Sequence, residues 1–411
     1  MTTRWTGGHY SLYRALLGGY LVVHFAMLLP FAAEVFATGG TVAHGRLSPL
    51  FGVLPNPLML ADGPWAVTAW VALGALCGAA LAVGWSDRVA ALLVVLILGW
   101  LFQRNPLIAN PSLPLLGWLL VLHLFAPPHP YGSLAGAIHG TQPSWRLPAH
   151  LFLAVWVILA LSYSHSGWTK LASPSWVEGH TIRLVLENPL ARDHFLREWA
   201  LSTPPIVLQL LTWLVLWLEL LFAPLALVQR LRPWVWLSML LAQCGFLLFL
   251  NFADLTFPML LVHLLTFDPA WLSKYEQRAP ATVLFDGHCA FCHATVRIAI
   301  HEDAEQRLCF APLSGETAAS LSDTAMPFDG DDSIVVVDQA GRRETKSRAV
   351  AAVLERLGGL WLPLAWLLRL LPRGLADYGY DLLGRWRYLL AGRIESAACR
   401  VVAGSAHRLL P

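Results

Sequence analysis

Apolar residues run together through most of the first 270 positions and become periodic only afterwards, so the chain reads as two materials joined end to end. Eight long apolar runs fall at residues 12–36, 65–83, 89–102, 113–125, 149–163, 206–228, 234–252 and 256–267. A helix that crosses a bilayer needs about 20 mostly apolar residues. The runs therefore predict a mainly α-helical polytopic membrane domain of about eight spans over residues 1–272. The first run has Arg4 and Arg14 near its start, as a signal peptide would, yet it is longer than one and carries His24 and Glu34. It is expected to be retained.

From residue 280 onward the period changes. "ATVLFDG" is a β-branched and aromatic run closed by Asp-Gly, the pattern of a buried strand and a turn. "CAFCHATVRIAIHED" then sets Phe291, Thr295 and Ile298 on one helical face. "RLCFAPL" predicts a second strand, and "DSIVVVDQAGRRETK" a hairpin turning at Gln339, Ala340 and Gly341. Ser347 is placed to cap a helix running through Leu357. Strand, helix, strand, helix, hairpin, helix is the order of an α/β thioredoxin-like domain, expected over residues 280–411. The apolar segment "GLWLPLAWLLRLL" is too short to span; it could lie on the membrane face, and is expected instead to pack against its own domain's sheet.

Charge sharpens this division. Of the Asp, Glu, Lys and Arg residues, 22 fall in residues 1–270 and 32 in residues 271–411. With eight spans both termini share a side, which would carry Arg4, Arg14, Arg88, Arg146, Arg230, Arg232, Lys274 and Arg278. The short segments opposite carry Arg46 and Arg104. That bias predicts an inner-membrane type of protein whose soluble domain is cytoplasmic. Net charge is +2, and no basic run exceeds two residues, so nucleic acid is not an expected partner.

Candidate chemistry centres on "FDGHCAFCHATV", residues 285–296. Cys289-x-x-Cys292 is the spacing of a redox dithiol, while Cys289-x-x-Cys292-His293 is also the attachment signature of c-type haem. At a strand-to-helix junction, unpaired N–H groups and the helix dipole favour a thiolate. Cys289 is thus expected to be the attacking sulfur, with Cys292, deeper and less exposed, resolving the mixed disulfide. His288 and His293 flank the pair. Asp286 reads equally as a proton relay or as the turn former before Gly287. Haem attachment would need an exposed loop and an oxidising compartment, which the pattern does not offer. Zinc held by Cys289, Cys292, Cys309 and Cys399 is the remaining alternative, without the second close pair that such sites show. Cys77 and Cys244 lie in apolar runs and are expected to pack as small hydrophobes.

At these residues the sequence acquires a family likeness. "FDGHCAFC", "RLCFAPL", "DSIVVVDQAG", "KSRAV" and "LLPRGLADYGYDLLGRWRYLLAG" with the late Cys399 resemble the DCC family of thiol-disulfide oxidoreductases. The resemblance implies a thioredoxin-like fold and protein-disulfide reductase activity on protein disulfides or thiols. Thioredoxins place a cis-proline just before the strand that corresponds to "SIVVV"; this chain has Asp332.

The most polar part of the membrane region is residues 162–199, where acids, bases and tryptophans alternate as in helices lying at an interface. Its "SGWTKLASPSWVEGHT" resembles the motif of vitamin K-dependent gamma-carboxylases, and the layout with "LTFPMLLVH" is similar to the bacterial HTTM domains. The resemblance implies that Lys170 is a catalytic base and that the domain binds membrane lipid or a quinone. The carboxylases' glutamate-binding parts are missing, so carboxylation is not expected. His24 and Glu219 sit inside apolar runs and are expected to line a cavity or to pair with neighbouring helices. Two functions compete: a membrane-anchored thiol-disulfide oxidoreductase, and a transporter or scaffold carrying a zinc-stabilised binding module.

Overall fold

The structure is a computed structural model, and it describes residues 2–42, 45–53, 55–141, 145–277, 279–321, 334–392 and 406–411. Cys399, Asp332 and Arg278 lie outside the described residues. Each of the eight apolar runs folds as helix. The first is α1 (Gly7–Leu28), which a 3-10 turn continues towards Phe36, and then come α2 (Pro64–Val83), α3 (Asp87–Arg104), α4 (Leu113–Leu124) and α5 (Ala149–Lys170). α6 (Pro205–Leu220), α7 (Arg232–Phe249) and α8 (Ala253–Thr266) complete this part.

Helix formation alone does not confirm eight spans. Among the described residues, four helical stretches are long and apolar enough to cross a membrane: Gly7–Phe36, Pro64–Val83, Ala149–Lys170 and Arg232–Phe249. Two bent pairs raise the number to six if each counts once, Phe195–Ser202 with Pro205–Leu220 (103°) and Asp254–Thr266 with Pro269–Tyr275 (61°). The shortfall has physical causes. α4 has 12 residues, and at 1.5 Å per residue that is far short of a hydrocarbon core about 30 Å thick. α3 begins on Asp87 and Arg88 and ends on Arg104, which keeps its ends polar.

Small residues allow the helices to approach. A Cβ on Gly18 of α1 would lie 2.4 Å from the backbone nitrogen of Ala82, so α1 and α2 touch backbone to backbone there. Gly167 of α5 meets α6 equally closely, with a Cβ position 2.3 Å from Leu220 N. The ionisable groups that the sequence places inside runs find partners on adjacent helices. His24 Nδ1 lies 2.8 Å from Asp254 Oδ1, which Tyr20 also approaches at 2.6 Å, and Glu219 pairs with Lys170. Cys77 is buried as expected, whereas Cys244 is exposed on the outer side of α7.

Two short strands, β1 (Thr2–Thr6) and β2 (Arg146–Pro148), pair antiparallel ahead of α1 and α5. The C-terminal region then follows the expected order. β3 (Ala281–Phe285), α9 (Ala290–Glu302), β4 (Leu308–Pro312), α10 (Glu316–Leu321), β5 (Val335–Asp338), β6 (Arg343–Thr345) and α11 (Lys346–Leu357) lead to α12 (Trp361–Leu370) and α13 (Arg373–Ala391). The sheet order is β4-β3-β5-β6, with β3 and β4 parallel and the other neighbours antiparallel. β3 is central and buried on both faces. Val283 and Phe285 pack with Phe310, Val296 and Ala352, while Leu284 packs with Ala311 and Val337 on the other side.

Two details differ from the sequence reading. Thr345, not Ser347, occupies the N-cap of α11, and the Ser347 hydroxyl instead bonds Asp377 of α13. The short apolar segment forms α12, which buries Leu362 and Ala365 and packs on α11 rather than on the sheet.

The C-terminal region abuts the N-terminal end of α1. Glu302, the last residue of α9, accepts from Gly8 N–H at 2.9 Å, from Trp361 Nε1 at 2.9 Å and from the Thr6 hydroxyl. The helix bearing the two cysteines is thereby joined at its far end to the first long apolar helix.

Candidate functional site

The strand β3 ends at Phe285, and the chain turns through Asp286, Gly287 and His288 before α9 begins. Asp286 makes that turn: its Oδ1 accepts from His288 N–H at 2.9 Å, and its carbonyl from Cys289 N–H at 3.3 Å. Cys289 is the N-cap of α9, and its Sγ accepts from Cys292 N–H at 3.3 Å. The sulfur thus takes the place that a serine or aspartate oxygen takes at other helix starts. Gly392 supplies a carbonyl to Ala290 N–H, satisfying another donor of the first turn.

The structure brings Cys289, Cys292 and Asp286 together, their two sulfurs and a carboxylate oxygen all lying within 4.8 Å of one another. Both cysteines are thiols. Their exposure is the reverse of what the sequence suggests. Cys289 is 0% exposed, whereas Cys292 is half-buried and faces a cavity. Part of the cause is local: the N-cap side chain folds back over its own helix end, where its sulfur accepts from Cys292 N–H.

The cavity measures about 290 Å³. Val283, Phe285 and Phe310 of the sheet form its floor, with Val353 of α11 and Leu383 of α13 among its walls. Asp286 and Cys292 stand together on its lining, and most of the remaining surface is hydrocarbon.

His293 is not available as a haem ligand in this arrangement. Its ring is 2% exposed, stands edge-on to Phe285, and points Nε2 at the Gly287 carbonyl, 2.7 Å away. A carbonyl only accepts, so Nε2 carries the proton and holds the turn. His288, by contrast, is exposed. The purified protein is accordingly expected to show no Soret band and no covalent haem stain. A covalently bound haem would require His293 and Cys289 to leave the core and would overturn this account. Cys309 lies on β4 and does not join the cluster, so among the described residues the four-cysteine zinc set is not assembled.

Lys170 ends α5 and has its own partners. Its Nζ pairs with Glu219, donates to Ser166 Oγ at 2.8 Å, and lies 4.8 Å from the centre of the Trp176 ring. Gly167 lets α5 and α6 approach closely enough for the pair to form. The glycine and lysine of the "SGWTK" motif are therefore one structural unit. Sequence reasoning found Glu219 as an odd charge but could not name its partner, because 49 residues separate the two. It missed Glu302 and the cavity wall from α13 altogether.

Residues 283–393 match the family described as DCC1-like thiol-disulfide oxidoreductase. A chloroplastic DCC family protein of Arabidopsis thaliana is 27% identical over 124 residues, which are 30% of this chain and 72% of that protein. No solved structure matches the chain.

Proposed function

We infer that the chain couples a DCC-like thiol-disulfide oxidoreductase domain at its C-terminal end to the long apolar helices before it. We propose that it is a membrane-anchored thiol-disulfide oxidoreductase of the protein-disulfide reductase type, cycling Cys289 and Cys292 between dithiol and disulfide. The observation that carries this is the pair of thiols at the first turn of α9, within 4.8 Å of each other and of Asp286. The strand order β4-β3-β5-β6 supports the thioredoxin-like reading of this domain.

Access decides the roles. A substrate disulfide reaches Cys292 from the cavity but meets no surface of Cys289. Cys292 forms the mixed disulfide, and Cys289, held one helical turn away at the helix start, attacks it to release the second thiol. Asp286 takes and returns the proton. Exposed protein disulfides or thiols are the substrate class.

The membrane part is read as HTTM-like from the motif around Gly167 and Lys170, and the same motif supports a lipid or quinone ligand near that corner. Lys170 already has a carboxylate and a hydroxyl as partners, which favours a role in holding the corner together over that of a base.

Trapping tests the dithiol cycle. Cys289→Ser in the full-length protein is expected to accumulate a mixed disulfide with a substrate thiol at Cys292, resolved by mass spectrometry, while Cys292→Ser accumulates none. The opposite pattern would restore Cys289 as the attacking sulfur. Wild-type turnover in both variants would remove the pair from the chemistry.

A further inference from the structure

We propose that the cavity beside Cys292 seats a hydrocarbon group carried on the substrate's own disulfide, so that small alkyl-bearing disulfides are the favoured substrates. This rests on the dithiol reading above, and for the same site it puts small alkyl disulfides in place of protein disulfides as the favoured substrate class.

The cavity has one chemical end. Cys292 and Asp286 line it, and the other two polar side chains that reach it are already engaged with backbone. The Thr295 hydroxyl donates to the Cys292 carbonyl at 2.8 Å, and the Tyr380 oxygen accepts from Ile334 N–H at 2.9 Å. A polar ligand would find few partners along the rest of the wall, whereas a hydrocarbon would find apolar contact on every side. The lining runs along α9 from Phe291 to Ala299, a rise of about 12 Å along the helix. That is deeper than a leucine or phenylalanine side chain extends from a peptide bound at the mouth. At about 290 Å³ the space is nearly twice a cavity of about 150 Å³ known to bind benzene, so it accommodates roughly ten carbon atoms.

The reaction balances without another reagent. Cys292 loses its proton to Asp286 and attacks the sulfur that bears the alkyl group; the substrate S–S bond breaks, and the other half leaves as a thiol with that proton. Cys289 then attacks the Cys292 sulfur, and the alkyl thiol leaves with the proton of Cys289. The protein dithiol has become a disulfide, and one substrate disulfide has become two thiols.

The test uses the reduced full-length protein in lipid nanodiscs and mixed disulfides of cysteine with methyl, butyl and octyl thiols. Loss of protein thiols is followed in single turnover, and each rate is divided by that of the same compound with free dithiothreitol. The normalised rate is expected to rise by up to about fourfold per methylene over the early part of the series, the equivalent of about 0.8 kcal/mol per buried CH₂, and then to level. In Gly384→Phe, where an added Cβ meets no atom within 4 Å, the ring occupies the cavity. The octyl-to-methyl ratio should then collapse towards one, although partition into lipid is unchanged. A flat series in the wild type, with the methyl compound still oxidising the thiols, overturns the cavity assignment and leaves the dithiol standing. A flat series accompanied by faster reaction of a peptide disulfide bearing leucine beside its cysteine assigns the space to a protein side chain and also overturns it. No thiol loss with any compound overturns the dithiol reading, and this proposal with it.

Discussion

Lys170→Met is expected to destabilise the packing of the apolar helices by about 3 kcal/mol, the lower end of the range for breaking a buried ion pair, because Lys170 is partly exposed. The ammonium pairs with Glu219, whose side chain is only 6% exposed and sits on an apolar helix. Methionine keeps the stem and removes the charge, so the carboxylate is left buried on an apolar helix without its counterion, where uncompensated charge is costly. Adding Glu219→Leu removes the orphaned carboxylate and should recover more than half of the loss. Thermal unfolding in detergent, followed by tryptophan fluorescence, gives the three midpoints. If Lys170→Met melts with the wild type, or the double variant melts no higher than the single one, the pair does not hold α5 to α6. The same comparison bears on chemistry, since a lysine kept only as a base would leave the melting temperature where it was.

The difference between what was legible and what was not follows from range. Strand β3, its Asp-Gly turn and the cysteine at the helix start are set by residues within a few positions of one another, and they stand where "ATVLFDGHCAFC" places them. The exposure of the two sulfurs was not legible. It depends on the Cys289 side chain folding back to Cys292 N–H and on α13, about 90 residues later, walling the cavity without covering Cys292. The eight apolar runs were legible as helices, because apolar content predicts burial or lipid contact. They were not legible as spans, because crossing needs length, and α4 and α8 are too short alone. Lys170 and Glu219 each looked anomalous for its surroundings. Only the close approach at Gly167 shows that the two anomalies cancel.

Glu302→Ala is expected to loosen the joint between the C-terminal region and α1 by on the order of 3–6 kcal/mol, through the loss of three hydrogen bonds to one buried carboxylate. Gly8 N–H and the Trp361 indole N–H, both partly buried, would lose their acceptor, and the first turn of α1 would lose the negative group at its positive end. Limited proteolysis across residues 268–280, together with the unfolding midpoint, reads the effect; wild-type resistance and melting in Glu302→Ala would show that the joint is held elsewhere. The carboxyl also gives the joint a pH dependence. Burial raises its pKa above the ordinary carboxylate value, while the hydrogen bonds from Thr6, Trp361 and Gly8 pull in the other direction without cancelling it. In the window between the unfolded and the raised value, the folded protein holds a proton that the unfolded chain has released. The contribution of this group is therefore complete below the unfolded value and fades as pH rises through the folded one. Glu302→Gln cannot titrate. The midpoint of the wild type, measured relative to Glu302→Gln, should fall as pH rises across that window, and a difference that stays constant or grows with pH would remove Glu302 as the titrating group at the joint.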